Sequence, residues 1–104
     1  MGNKRSYADF KKQIPSQTQS IVENLRDFCF SLGDNVIEDV RMHRIVFCKS
    51  ITFRWFADIE PENETILLKI QKNRKENQEI IRLKPDDNLE HVKKILRDAF
   101  ETIR

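Results

Sequence analysis

The side chains best suited to chemistry in this 104-residue chain are two cysteines and two histidines, and their spacing matches no common site. Cys29 and Cys48 form no CxxC pair, and His43 and His91 are the only other soft metal ligands. A structural zinc site needs four ligands at close spacings, and a disulfide scaffold needs more cysteine. Both cysteines stand in apolar stretches, where cysteine behaves as a small hydrophobe. We therefore predict that the chain holds no metal ion and no cofactor, and that its cysteines belong to the core.

Spacings that support catalysis are also missing. A metal-dependent nuclease strand carries an acid two residues before its lysine, but Leu67 precedes Lys69 in this way and Arg82 precedes Lys84. Neither histidine stands beside a Gly-x-Ser-x-Gly turn. Two pairs of carboxylates would do acid–base work only if the fold brought them together: Glu38–Asp39 and Asp58–Glu60. We predict that the chain is not an enzyme, with no catalytic residues.

The elements that must position these residues follow from periodicity. Apolar residues recur at helical spacing after Ser16 and again after Leu89, and at a period of two in four or five stretches between them. The loops are short, which favours antiparallel hairpins. We predict one α+β domain over residues 16–104, a two-layer sandwich with a four- or five-stranded antiparallel sheet and the flanking helices on one face. Residues 1–15 form a basic N-terminal arm with a short helix over 6–13, and Gly33 is predicted to adopt a left-handed helix cap.

The composition limits the classes of protein to which the chain can belong. With 38% hydrophobic residues, seven Phe and 35% charged residues, it is too apolar to be disordered. No run of 18 apolar residues is present, and no secretory signal pattern stands at the N-terminus. We therefore expect a cytoplasmic protein with no membrane partner. The net charge of +2 is too small to indicate a class of binding partner by itself.

One face of the predicted sheet has no helix to cover it. Period-two alternation places Trp55, Ala57 and Ile59 toward the core, which leaves the alternate residues on the open face. The apolar side chains expected there are Phe56, Leu67 and Ile80. This is the most informative surface that the sequence predicts.

Positive charge is concentrated on the same strands. Residues 41–56 carry four basic and no acidic side chains, and residues 69–84 carry six basic and two acidic ones. Residues 16–40 and 57–68 are each negative by four charges. Candidate phosphate- or partner-binding residues are Arg41, Arg44, Arg54, Lys69, Lys72, Arg74, Lys75 and Arg82.

Three interpretations of this face stay open. Cations beside an aromatic ring can hold nucleic acid, with Phe56 stacking on a base. Alternatively, Phe56, Leu67 and Ile80 form the centre of a protein interface, most simply a homodimer. In the third interpretation the face is an ordinary solvated sheet, since scattered surface hydrophobics are common. We expect a non-catalytic, nucleic-acid-associated accessory domain, with a protein-interaction or homodimerisation module as the alternative.

Several local strings resemble a small uncharacterised family. The strings are Leu25-Arg26, Leu32-Gly33-Asp34, Phe56-Ala57-Asp58-Ile59-Glu60-Pro61, Leu67-Leu68-Lys69-Ile70, and Leu96 through Ala99-Phe100. They are similar to the domain of unknown function at the C-terminus of bacterial and archaeal sequences labelled "predicted transport protein". The resemblance covers about residues 16–104 and implies no established activity or catalytic residue. Some members are attached to nuclease-like domains, which favours nucleic-acid-associated work by analogy. The short charged loop at 72–77 departs from the family, whose members often carry a longer, glycine-containing stretch there.

Overall fold

The computed structural model describes residues 6–50, 55–72 and 78–103. It confirms an α+β fold in which helices pack against one open antiparallel sheet. The helices and strands are α1 (Tyr7–Lys11), α2 (Ser16–Ser31), β1 (Ile37–Val40), β2 (Ile45–Cys48), β3 (Trp55–Glu62), β4 (Thr65–Ile70), β5 (Glu79–Leu83) and α3 (Glu90–Thr102). The two longer helices and the strands lie close to where the apolar periodicity predicts them, although β3 extends through Glu62, and α1 is shorter than the predicted helix over 6–13.

The sheet is a five-stranded meander in the order β1-β2-β3-β4-β5, with every neighbouring pair antiparallel. Pairing of Glu62 with Thr65 leaves a two-residue turn between β3 and β4. Asn63 in that turn has a positive φ of 57°, a conformation that asparagine tolerates better than most residues. Pro61 lies in β3 beyond the last residue that pairs with β2, so its missing N–H breaks no bond of that ladder.

The core lies between the helices and one face of the sheet. Ile66, Leu68 and Ile70 alternate toward it from β4 and are almost completely buried, as their spacing predicts. Leu25 of α2 and Leu96 of α3 cover them from the helix layer and are fully buried. The sheet therefore has one apolar face against the helices and one face over which none of the described helices lies.

Arg26 joins three elements at the edge of this core. Its Nε and Nη2 atoms donate to the two carboxylate oxygens of Glu38 on β1, at 2.5 and 3.2 Å. Its guanidinium also lies over the ring of Tyr7, 4.1 Å from the ring centroid, and 5.2 Å from that of Phe30. A planar cation with a forked set of donors can satisfy a carboxylate and stack on aromatic faces at once. These contacts tie α1 to α2 and to the first strand.

A bulge in β3 overturns the predicted place of Phe56. Phe47 pairs with Ala57, but Cys48 pairs with Trp55, so Phe56 is an extra residue in the ladder. The Phe56 side chain is fully buried and meets Phe100 of α3 edge to face, with 5.2 Å between ring centroids. The prediction that Phe56 lies on the open face is therefore wrong, because strict alternation fails where the bulge adds a residue.

Gly33 also differs from its prediction. No glycine among the described residues has a positive φ, so Gly33 forms no left-handed cap after α2. A Cβ atom built on Gly33 would lie 2.7 Å from Cζ of Phe100. The residue is needed because the ring of Phe100 occupies the space of a side chain, and not because of its backbone conformation.

A candidate interface on the open sheet face

The open face consists of the strand residues that point away from the helices. The register places Asp58 opposite Val46 and Lys69, and Glu60 opposite Leu67. With the turn before β2, the residues of this face are Ile37, Asp39, Arg41, Arg44, Val46, Cys48, Trp55, Asp58, Glu60, Glu62, Thr65, Leu67, Lys69, Ile80 and Arg82. We call this set the open face.

Three ion pairs at the centre of the open face share partners with one another. Arg44 Nη1 donates to Asp58 Oδ2 at 3.1 Å, and Arg44 Nη2 lies 3.6 Å from Glu60 Oε1. The same Glu60 oxygen is 3.7 Å from Lys69 Nζ. We call Arg44, Asp58, Glu60 and Lys69 the central network. It contains two cations and two carboxylates, so its net charge is zero.

Two further ion pairs flank the central network. Arg41 Nε donates to Asp39 Oδ2 at 2.9 Å, and Arg82 Nη1 donates to Glu62 Oε1 at 2.6 Å. These pairs are about half exposed, so each contributes little to stability. These pairs have a larger effect on the charge of the surface, because with them every predicted phosphate-binding cation on the described open face has a carboxylate partner.

The structure brings together only part of the predicted set of cations. Arg41, Arg44, Lys69 and Arg82 lie on the open face. Lys72 follows β4 and makes no ion pair with another described residue. The remaining predicted cations lie outside the described residues: Arg54, Arg74 and Lys75.

Only two of the three apolar residues predicted for the open face lie on it. Leu67 and Ile80 lie on it as predicted, with Leu67 half-buried and Ile80 55% exposed. Trp55, predicted to be a core residue, takes the place on this face that was predicted for Phe56. The bulge accounts for both changes, since it moves Phe56 to the core side and leaves Trp55 opposite Cys48.

A shallow pocket of about 210 Å³ lies where Trp55 meets the central network. Its lining residues are Arg41, Arg44, Val46, Trp55, Asp58, Lys69 and Gln78. We call it the Asp58 pocket. The lining combines one aromatic ring with several donors and with acceptors from Asp58 and Gln78, which is typical of a pocket that orients a bound group.

Asp58 is the least exposed charged residue of the central network, with its side chain 7% exposed. Its Oδ1 atom is buried and has no hydrogen-bond partner, although Oδ2 is held by Arg44. Burial raises the pKa of the Asp58 carboxyl above its usual value, and the neighbouring charge of Arg44 opposes this effect. An unsatisfied buried carboxylate oxygen is costly, so its presence calls for an explanation.

The residues first considered for chemistry are dispersed in the fold. His43 lines a small pocket with Phe10 and Ile14 at the far end of the sheet. Cys29 is fully buried in the core, and Cys48 is half-buried opposite Trp55. Over residues 6–50, 55–72 and 78–103, no three residues with metal-binding side chains form a cluster. In the same ranges no helix is long and apolar enough to cross a membrane.

Comparison of the chain with models of known protein families gives no match, and neither the curated proteins nor the solved structures include a significantly similar chain. The resemblance to the uncharacterised family therefore stays a prediction. The candidate site rests on its own geometry, which is a sheet face that none of the described helices covers, with charges that balance among the described residues and one buried carboxylate oxygen without a partner.

Proposed function

We propose that this chain is a non-catalytic binding module and that its open face docks another protein. The observation that carries the proposal is the charge balance among the described residues of this face. Arg41, Arg44, Lys69 and Arg82 are matched by four carboxylates, each within ion-pair distance of one of them. Binding to nucleic acid depends on cations that replace the counterions of phosphates, and the described residues of this face carry no net positive charge to supply that driving force.

The apolar residues of the face support the same proposal. Trp55 and Leu67 are half-buried, and Ile80 is largely exposed. Protein interfaces combine an apolar, often aromatic, centre with a polar rim, and tryptophan and arginine are enriched among the residues that carry binding energy. Arg41 and Arg82 lie at two sides of this apolar centre, as a polar rim would.

The alternative is the nucleic-acid-associated role expected from the sequence, and an oligonucleotide titration distinguishes it from protein docking. Labelled single- and double-stranded oligonucleotides would be titrated with the protein at about 50 and 200 mM salt, where phosphate contacts lose affinity steeply. We expect no binding at the lower salt concentration. Micromolar binding that weakens with salt and is abolished by Lys69→Glu with Arg82→Glu would contradict the proposal.

The protein interface is tested by affinity capture with matched variants. Leu67→Glu places a charge at the apolar centre of the open face, whereas Lys93→Glu places one on α3, away from it. We expect proteins captured by the native chain to be lost with Leu67→Glu and kept with Lys93→Glu. Equal capture by both variants would show that the open face is not the docking surface.

A further inference from the structure

The charges of the described open face balance as a whole, but they do not balance inside the Asp58 pocket. Its described lining contains one carboxylate, that of Asp58, and three cations: Arg41, Arg44 and Lys69. Asp39 pairs with Arg41 and Glu60 pairs with Lys69, but neither of these two carboxylates lines the pocket. Three cations against one carboxylate leave the described lining with a net charge of +2.

The polar groups that the pocket offers to an incoming molecule are mainly donors. Arg44 donates to Asp58 Oδ2, but its distance of 3.6 Å from Glu60 is too long for a hydrogen bond. Lys69 Nζ lies 3.7 Å from Glu60 and donates to no described residue, although its side chain is only 21% exposed. A guanidinium and an ammonium have more N–H donors than these contacts use. Asp58 competes weakly for them, because its Oδ1 is buried and its Oδ2 already accepts from Arg44.

We propose that the Asp58 pocket binds a carboxylate group of the protein that docks on the open face. This inference rests on the proposed function and gives the chemistry of the partner. A carboxylate brings one negative charge to a lining of +2, and its two oxygens accept from the forked donors of a guanidinium. Trp55 and Val46 line the same pocket, so the apolar stem that carries the carboxylate would lie against them.

The size and surroundings of the pocket favour a single acidic group over a larger anion. Sites that enclose a whole small molecule have volumes of about 300–1,000 Å³. The Asp58 pocket has about 210 Å³ and is shallow, which suits one side chain of a docked protein. A nucleic acid needs cations along the whole length of its backbone, and the described face around the pocket has no excess of them.

Trp55 is the only tryptophan of the chain and lines the pocket, so its fluorescence and its indole N–H resonance report occupancy directly. The probe is a blocked tripeptide with a glutamate between two leucines, and its uncharged match carries glutamine instead. We expect the glutamate tripeptide to saturate the signal with a dissociation constant of about 1–10 mM, as suits one side chain in a shallow site. The glutamine tripeptide should bind at least about tenfold more weakly, because it loses the charge-assisted hydrogen bonds.

Variants of two pocket cations identify the groups that bind the probe. Lys69→Gln should weaken binding of the glutamate tripeptide by at least about fivefold, and Arg41→Gln by less, because its side chain is 60% exposed. Arg97→Gln removes an exposed arginine from α3, on the other side of the sheet, and as the control should leave the dissociation constant unchanged. Arg44 is kept, because its loss would leave the buried carboxylate of Asp58 without a partner and would test folding instead.

Three results would overturn the inference. They are no saturable signal up to about 50 mM glutamate tripeptide, equal affinities for the two tripeptides, and native affinity in Lys69→Gln. A phosphoserine tripeptide that binds at least about tenfold more tightly than the glutamate one would overturn the assignment to a carboxylate. A glutamine tripeptide with a free C-terminus that binds as well as the glutamate one would support it and add the chain terminus as a source of the group.

Capture of partner proteins distinguishes this inference from the proposed function. We expect proteins captured by the native chain to be lost with Leu67→Glu and to be captured more weakly by Lys69→Gln. Loss with Leu67→Glu and full capture by Lys69→Gln would reject the carboxylate site and leave the proposed function standing.

Discussion

Gly33 leaves the space that the tip of the Phe100 ring fills. The ring, which is half-buried, also meets Phe56 edge to face, and Lys49 Nζ lies 5.0 Å from its centroid while donating to the Ile103 carbonyl at 3.1 Å. A Cβ on residue 33 would lie 2.7 Å from Phe100 Cζ. The absence of a side chain at one position thus sets the packing of α3 on the bulged strand.

Gly33→Ala should therefore destabilise the fold. Overpacking of a filled core typically costs about 1–3 kcal/mol, and because Gly33 and Phe100 are only half-buried we expect the lower end of that range. Urea unfolding would measure the change in the free energy of unfolding. Combining Gly33→Ala with Phe100→Leu supplies the control, because the smaller side chain frees the contested space. The alanine should then cost less than it does alone. Equal costs in the two backgrounds would show that the ring does not oppose the new methyl group.

Asp58 should make the fold more stable as the pH is lowered from neutral to mildly acidic. Burial raises the pKa of its carboxyl above the usual 3.8, so the folded chain takes up a proton more readily than the unfolded chain. The resulting stabilisation is fully present below the unfolded pKa and is lost as the pH rises through the folded pKa. The free energy of unfolding of the native chain, relative to that of Asp58→Asn, should increase as the pH is lowered from 7. A difference that stays constant with pH would contradict the shift.

Tyr7 should make the stability of the fold depend on pH at the alkaline end of the scale. Its hydroxyl is buried without a partner, and burial, with the nearby Glu23 carboxylate, raises its pKa from 10.0 to about 12. Tyr7 is the only tyrosine, so the ultraviolet absorbance of tyrosinate reports it alone. Stability from this group is complete below pH 10 and is lost as the pH rises toward 12. In Tyr7→Phe that loss should be absent, and a native titration at the usual value would refute the burial.

The two cysteines should differ in their reaction with thiol reagents. Burial raises the thiol pKa of both, but Cys29 is fully buried whereas Cys48 is half-buried on the open face. In a Cys48→Ser variant, Cys29 should react at least about a thousandfold more slowly than in denaturant, because attack requires opening of the core. Ellman's reagent would measure both rates. Fast labelling of Cys29 in the native fold would show that the helix layer opens there.

Much of the fold follows from local patterns, since burial imposes a period on each element. Ile21 and Leu25 reveal α2, and Ile66, Leu68 and Ile70 reveal β4, because these residues share one face of their element. The place of Phe56 does not follow, because a bulge depends on how two strands pair and not on the strand's own sequence.

The candidate site was harder to predict for the same reason. Counting charges along the chain separates positive and negative blocks, yet Arg44 and Glu60 come from different blocks and meet across neighbouring strands. Neutralisation of charge among the described residues of the open face is thus a property of the register. Alternation alone predicts that Trp55 lies in the core, and only the pairing of Cys48 with Trp55 places it beside Asp58.

The meander order of the sheet has a consequence for how the chain reaches this fold. Every strand pairs with its immediate neighbour in sequence, so the sheet can assemble one hairpin after another without a crossover. Sheets built from such local pairings close small loops and reach their transition state faster than those built from distant strands. We expect refolding in milliseconds rather than seconds, with docking of α3 onto β3 and β4 as the last and least local event.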